Sequence, residues 1–457
     1  MSQREFDVII LGAGPAGEVC AGRLGEGGLS VAVVESHLIG GECSFYACMP
    51  SKGLLRPGEL LAEVRRIPGV SEAVTGPLDV GRVLRRRDEI IHDLDDSGMV
   101  PWLEERNCTV VRGRGRLDGE RRVRVGDELL VARRAVVVAT GSGTLVPPID
   151  GLREAEPWTN REVTTAKEPP ARLLVLGGGV VGAEMAQAWN SLGSEVTLLE
   201  AADRLLSREE DFAGEQVADS LRRAGVDVRL GATARAVRAA GGAVRIEMED
   251  GGTAEGDELL VAIGRRPNTS DIGLESVGLE PDKPIDVDDR MQVNDWLYAI
   301  GDVTGRVLLT HMGKYQGRVA ADVILGHDVR ALNDDARSPR VIFTDPQVAA
   351  VGYTAAGARE AGLDVRVVDV GTQSVAGGSF YGRSETPGTS RLVVDEARGV
   401  VVGATFTGPE VAEFVHAATI AVIGEVPLER LGHAVPSFPT RSEVWLKLLE
   451  SYESEAA

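Results

Sequence analysis

Cysteine is sparse in this chain: Cys20, Cys43, Cys48 and Cys108 among 457 residues. That excludes a small secreted scaffold stapled by disulfides and points to a reducing cytoplasm, where a close cysteine pair is redox-active or metal-binding. Long apolar runs are missing as well. No stretch approaches the roughly 18–20 consecutive apolar residues of a membrane span. The opening MSQREFDVIILGAG carries no cleavable signal pattern and runs straight into a strand. Positive charge is in deficit, with 49 Lys plus Arg against 70 Asp plus Glu and a net charge of −21. Nucleic acid and anionic membrane surfaces call for a basic face, so neither is an expected partner. Only five of the 49 basic residues are lysines, which makes each lysine worth inspecting.

The remaining composition, 43% hydrophobic and 26% charged, is that of an ordinary folded protein. The length exceeds what one core supports, near roughly 250–300 residues, and suggests about three domains. The first segment, FDVIILGAGPAGEVCAGRLGEGGLSVAVVE, reads strand, glycine turn, helix, strand, acid. Gly12, Gly14 and Gly17 allow a tight turn, close approach to a pyrophosphate and close helix–strand packing, and Glu35 meets a ribose hydroxyl pair. The pattern recurs in RLLVLGGGVVGAEMAQAWNSLGSEVTLLE, with Gly177, Gly179, Gly182 and Glu200. Gly12 to Glu35 spans 23 positions, and so does Gly177 to Glu200. The alternative is one true site and one merely structural βαβ unit. Two dinucleotides in one chain point to an electron relay, a flavin reduced by a nicotinamide. RRAVVVATGS, ending on Thr140 and Gly141, closes the first nucleotide domain, and DELLVAIGRRPN closes the second. Asp302 follows a further strand, where a carboxylate accepts hydrogen bonds from a sugar chain. From about residue 340 strand-rich runs indicate a third, α+β domain.

Between these lies GECSFYACMPSK, from Gly41 to Lys52. On an ideal helix Cys43 and Cys48 are about 8–9 Å apart, at roughly 1.5 Å and 100° per residue. A disulfide tolerates about 7 Å. A bridge therefore needs a distorted turn, and a constrained bridge is easily reduced. Pro50 helps to fix that geometry. Two unrelated buried thiols or a metal site are the alternatives. His37 is the nearest histidine and stands alone, so no metal is expected.

Taken together, the two glycine fingerprints, C-x4-C with Pro-Ser-Lys, Ala-Thr-Gly and Gly301-Asp302 resemble the FAD-dependent pyridine nucleotide–disulfide oxidoreductases. Dihydrolipoamide dehydrogenase, glutathione reductase and mercuric reductase belong to that family. The resemblance covers essentially the whole chain. It implies an α/β fold of two Rossmann-like dinucleotide-binding domains plus a C-terminal α+β dimerisation domain. The segments expected are 1–150 and 269–338 for FAD, 151–268 for NAD(P) and 339–457 for dimerisation. It implies a homodimer in which the partner's C-terminal domain completes the active site. Cys48 takes the place of the flavin-contacting thiol and Cys43 that of the interchange thiol. Lys52 matches the lysine at the flavin and Glu184 its ion-pair partner. Gly12, Gly14, Gly17, Glu35, Gly41, Gly115, Thr140, Gly141, Asp302 and His311 match the FAD side. Gly177, Gly179, Gly182, Glu200 and Gly264 match the nicotinamide side. Glu200 favours NAD(H) over NADP(H), although Arg204 and Arg208 follow it and offer charge to a 2′-phosphate.

One departure stands out. Family members of this type end in His-Pro-Thr with a Glu five residues after the His. Here SFPTRSEVW keeps Pro439, Thr440 and Glu443 but puts Phe438 at the His position. An apolar ring carries no proton, and general acid–base catalysis is worth roughly 10²–10⁴ in rate. Glu443, His433 and Tyr46 are the candidate substitutes. The expected function is transfer of electrons from NADH through FAD to the Cys43–Cys48 disulfide, and on to an unidentified small-molecule or protein-bound thiol or disulfide. The alternatives are C–S cleavage like that of 2-ketopropyl-coenzyme M oxidoreductase/carboxylase, which is similar in placing Phe there, or metal reduction as in mercuric reductase.

Overall fold

A computed structural model of the chain describes residues 3–381 and 388–456. Two compact units emerge, one from residues 1–50, 88–144 and 265–336, the other from 51–87, 145–264 and 337–457.

The first unit is built on strands Gln3–Leu11, Val31–Glu35, Cys108–Arg112, Glu128–Val138 and Leu297–Ala299. All are parallel, in the order 108–112, 31–35, 3–11, 128–138, 297–299. Runs such as Val8-Ile9-Ile10-Leu11 form strands because both faces of a parallel sheet are covered. Val8 and Ile10 pack with Leu24 and Val31 on one side, while Ile9 and Leu11 pack with Val34 and Val136 on the other. The strands Arg122–Val125 and Gly115–Leu117 extend the edge antiparallel.

The second unit repeats the theme. Strands Arg172–Leu176, Glu195–Glu200, Asp227–Leu230 and Glu258–Val261 are parallel in the order 227–230, 195–200, 172–176, 258–261. This matches four consecutive strands of the first sheet. Each glycine turn opens a helix of 12 residues, Pro15–Glu26 in one copy and Val180–Ser191 in the other. An antiparallel sheet of five strands, from Arg340–Ile342 to Val400–Gly408, carries the helices Val411–Ile423 and Val444–Ala456. Arg340 ties it to the loop between strand Glu195–Glu200 and helix Asp211–Arg223 by donating to both oxygens of Glu209 at 2.7 and 2.9 Å.

Residues 51–87 sit differently from the expected segmentation. Leu54, Leu55, Val83 and Leu84 share one core with Leu173, Val175 and Trp189, so this stretch belongs to the second unit. Its apolar positions follow helical spacing in Cys48–Arg66 and Val80–Ile90, and their burial against Trp189 decides the grouping. Among the described residues no helix is long and apolar enough to cross a membrane.

Candidate active site

The two glycine turns match in detail. Gly12 has φ +106° and Gly177 φ +111°, a region open to glycine and strained for other residues. A Cβ on Gly17 would lie 2.0 Å from the Gly12 carbonyl oxygen, and one on Gly182 1.8 Å from that of Gly177. Only a bare backbone lets each helix approach its strand. At Gly14 and Gly179 a Cβ would meet nothing within 4 Å. Those positions face open space at a helix N-terminus, where backbone N–H groups and the helix dipole favour a phosphate. The closing acids behave alike. Glu35 accepts from Ala13 N at 2.8 Å with one oxygen and from His37 N at 2.7 Å with the other. Glu200 accepts from Gly178 N at 2.5 Å and Ala202 N at 2.8 Å. Arg204 is turned toward Asp211 at 3.0 Å and the Ser207 carbonyl at 3.1 Å, while Arg208 is exposed. Gly264 accepts from Leu145 N at 3.0 Å within the same unit.

The cysteine segment breaks its helix, as the spacing argument requires. One short helix ends at Phe45, Tyr46 leaves helical geometry at φ −134°, and a second begins at Cys48. Pro50 falls in the first turn of that second helix, where its missing N–H costs nothing. Cys43 and Cys48 are free cysteines, both partly exposed. They are hydrogen-bonded to each other, and that contact together with burial pushes the Cys43 thiol up. The Thr310 hydroxyl and Lys314 pull it down. Thr310 Oγ1 also lies 3.2 Å from Cys48 Sγ. It is the first residue of the helix Thr310–Ile324, whose positive end favours a thiolate. The His37 ring stacks on Tyr46 at 5.6 Å between centroids and meets the Tyr46 hydroxyl at 2.9 Å. Gly41, at φ +57°, would press a Cβ to 2.9 Å from Gly14 Cα, so the cysteine turn lies against the phosphate loop.

Further FAD-side candidates gather nearby. Thr140 donates to the Asn268 carbonyl at 2.9 Å, and Asn268 returns a bond to the Thr140 carbonyl at 3.0 Å. At Gly141, φ +71°, a Cβ would again meet nothing within 4 Å. Asp302 accepts from Ser142 at 2.6 Å and pairs with Arg265 at 2.9 Å. Gly115 is needed for packing, since a Cβ would lie 2.6 Å from Leu11. His311, one residue past Thr310, is exposed.

In the second unit Lys52 Nζ sits 2.8 Å from Glu184 Oε2, and the other Glu184 oxygen accepts from Phe343 N at 2.9 Å. The lysine lies over the Phe343 ring at 4.7 Å. Glu184 is buried, so the carboxylate is fixed and Lys52 is held by it. Phe438 is 77% exposed. Among the described residues Glu443 Oε2 is buried with no hydrogen-bond partner. Arg441, missed in the sequence, is buried between the Tyr381 and Phe414 rings at 4.8 and 5.2 Å, where burial lowers its pKa.

Comparison with known proteins identifies the family. Residues 6–317 match the model of the pyridine nucleotide-disulphide oxidoreductases, and residues 338–449 match that of their dimerisation domain. The chain is 32% identical over 448 residues to a dihydrolipoyl dehydrogenase of Chlamydia muridarum, covering 96% of this chain and 95% of that one. It is 31% identical to a mercuric reductase of Staphylococcus aureus, covering 96% of this chain and 81% of the relative. Among solved structures it is similar to the HOCl-induced flavoprotein disulfide reductase RclA of Escherichia coli in its Cu(II) complex. There the TM-score is 0.86 at 27% identity, over 98% of this chain and 99% of that one. The matches run through both dinucleotide folds, the cysteine turn and the C-terminal sheet, and the chain belongs to the FAD-dependent pyridine nucleotide-disulphide oxidoreductase family.

Proposed function

We propose that the protein uses NADH, through FAD, to reduce the Cys43–Cys48 pair, and that Cys43 then reduces a disulfide-type acceptor, small or protein-bound. One observation carries this reading: the Cys48 thiol lies 3.2 Å from the Thr310 hydroxyl at a helix N-terminus, beside a second thiol, Cys43, that is coupled to it. Structural cysteines such as the fully buried Cys20, whose pKa burial drives upward, lack such company.

The residues present fit FAD, because the open face at Gly14 leaves room for a pyrophosphate against the helix N-terminus. When bound, FAD supplies two-electron exchange between a nicotinamide and a disulfide. Gly12, Gly14 and Gly17 shape the phosphate loop, Glu35 offers its remaining lone pairs to a ribose, and Asp302 serves the ribityl side. Glu184 orients Lys52 as the cation for the flavin. Cys43 thiolate attacks the acceptor disulfide, one thiolate leaves, and Cys48 attacks the mixed disulfide to release the second. The internal bridge re-forms, so one disulfide is reduced for each dithiol oxidised. The leaving thiolate takes its proton from water, since Phe438 has none to give.

Glu200 supports NADH over NADPH. Both of its oxygens are clamped by backbone N–H groups, so the carboxylate cannot swing away from a 2′-phosphate. A second reading, C–S cleavage with carboxylation, is favoured by Phe438 alone, and the ion-paired Lys52 speaks for the first. The test is an anaerobic NADH titration followed by lipoamide, small disulfides, Hg²⁺, quinones and 2-ketopropyl thioethers as acceptors. NADH should uncover two additional titratable thiols per chain, and a disulfide should reoxidise them. Reduction with no gain in thiols would reject the scheme.

A further inference from the structure

Arginine replaces lysine almost everywhere in this chain, yet a lysine is kept at position 314. It lies on the helix Thr310–Ile324, four residues after Thr310 and therefore one turn along the same face. Thr310 is the residue whose hydroxyl meets the cysteine pair. Arg318, a further turn on, is engaged over the Tyr315 ring at 5.7 Å. Another helix crosses here. A Cβ on Gly317 would lie 2.6 Å from the Ala16 carbonyl oxygen, and one on Gly313 3.3 Å from Ala16 Cβ, so helix Pro15–Glu26 packs closely on Thr310–Ile324. Glu18 lies on that crossing helix and feels the Lys314 charge.

We propose that Lys314 is a positioning residue for the dithiol, a cation that favours the Cys43 thiolate, with Glu18 as the carboxylate that shares its charge. The inference rests on the role given to Cys43 above. The Cys43 thiol is pulled down by Lys314 and by Thr310, against the upward push of Cys48 and burial. Glu18 is pushed up to about 7, mainly by burial and also by Glu35, while Lys314 opposes the rise. His311 is exposed beside Thr310. A chain without the family's imidazole thus keeps a permanent positive charge near the thiol that must ionise. Its charge favours the Cys43 thiolate over the thiol. Below about pH 7 Glu18 is neutral and the lysine acts on Cys43 undivided; above it the carboxylate takes part of that charge.

The test is the pH profile of Cys43 alkylation by iodoacetamide in the FAD-loaded, dithionite-reduced enzyme, with the modified peptide assigned by mass. This readout needs neither NADH nor an acceptor, so its failure is distinct from failure of the proposed function. Lys314→Gln should move the profile up by about one pH unit, a loss of about tenfold in rate at pH 7. Lys314→Arg should restore it. Glu18→Gln should match the wild type below pH 7 and react faster above it. A Lys314→Gln profile identical to wild type would overturn the proposal. So would an unchanged profile with weakened FAD retention, which would assign the charge to the cofactor's phosphates instead.

Discussion

Replacing Phe438 by His probes the missing proton carrier most sharply. The ring is 77% exposed, so its removal forfeits little burial and should change stability by no more than about 0.5 kcal/mol. Glu443 is five residues on and holds a buried oxygen without a partner. An imidazole that reaches it gains a charge-assisted hydrogen bond worth about 1.5–3 kcal/mol, enough to orient the new ring. The His–Glu pair then protonates the leaving thiolate. Turnover with lipoamide or a small disulfide should rise by about one to three decades, or about 1.4–4 kcal/mol in the barrier. The assay is acceptor-dependent NADH oxidation in the Phe438→His variant with matched FAD content. In the reducing direction the protonated imidazole is the active form, so the gain should fade as pH rises through roughly 6.5. The rate of any 2-ketopropyl thioether reaction, measured in the same variant, separates the two readings, because a carbanion reaction should be quenched by the new proton donor. No change in either rate, with fold and FAD intact, would place position 438 away from the interchange thiol and refute the reasoning.

Other consequences are quick to check. The ratio of kcat/KM for NADH over NADPH should be well above one, because Glu200 is held in place; equal values would mean that Arg208 reaches a 2′-phosphate. Gly17→Ala forces a Cβ to 2.0 Å from a carbonyl oxygen and should destabilise the first unit by about 1–3 kcal/mol in thermal unfolding of the FAD-loaded protein. Gly14→Ala, whose Cβ enters open space, should instead leave the fold intact, as read by circular dichroism, and lower FAD content in the purified protein.

The repeated nucleotide folds were legible because glycine spacing is a local code: tight turn, open face and close packing each demand a bare Cα at a fixed offset. The Lys52–Glu184 pair, by contrast, was legible only through family resemblance, being 132 residues apart in sequence. Thr310 went unseen for the same reason. It lies 262 residues from Cys48, and a threonine opening a helix carries no motif. Ser142 and Arg265 on Asp302 were hidden likewise, since their meeting depends on how separate strands close. The grouping of segment 51–87 was not legible, because its apolar spacing announces a helix but not the core that receives it. Phe438 was plain in the sequence as a departure, while the stranded oxygen of Glu443 needed the structure.

The central claim is that Cys48 is the thiol facing the flavin. Anaerobic two-electron reduction followed by absorption spectroscopy tests it directly. The wild type should develop a long-wavelength thiolate-to-flavin band, and Cys48→Ser should lose it while still reducing a one-electron dye with NADH. A Cys48→Ser protein that keeps the band would contradict the account.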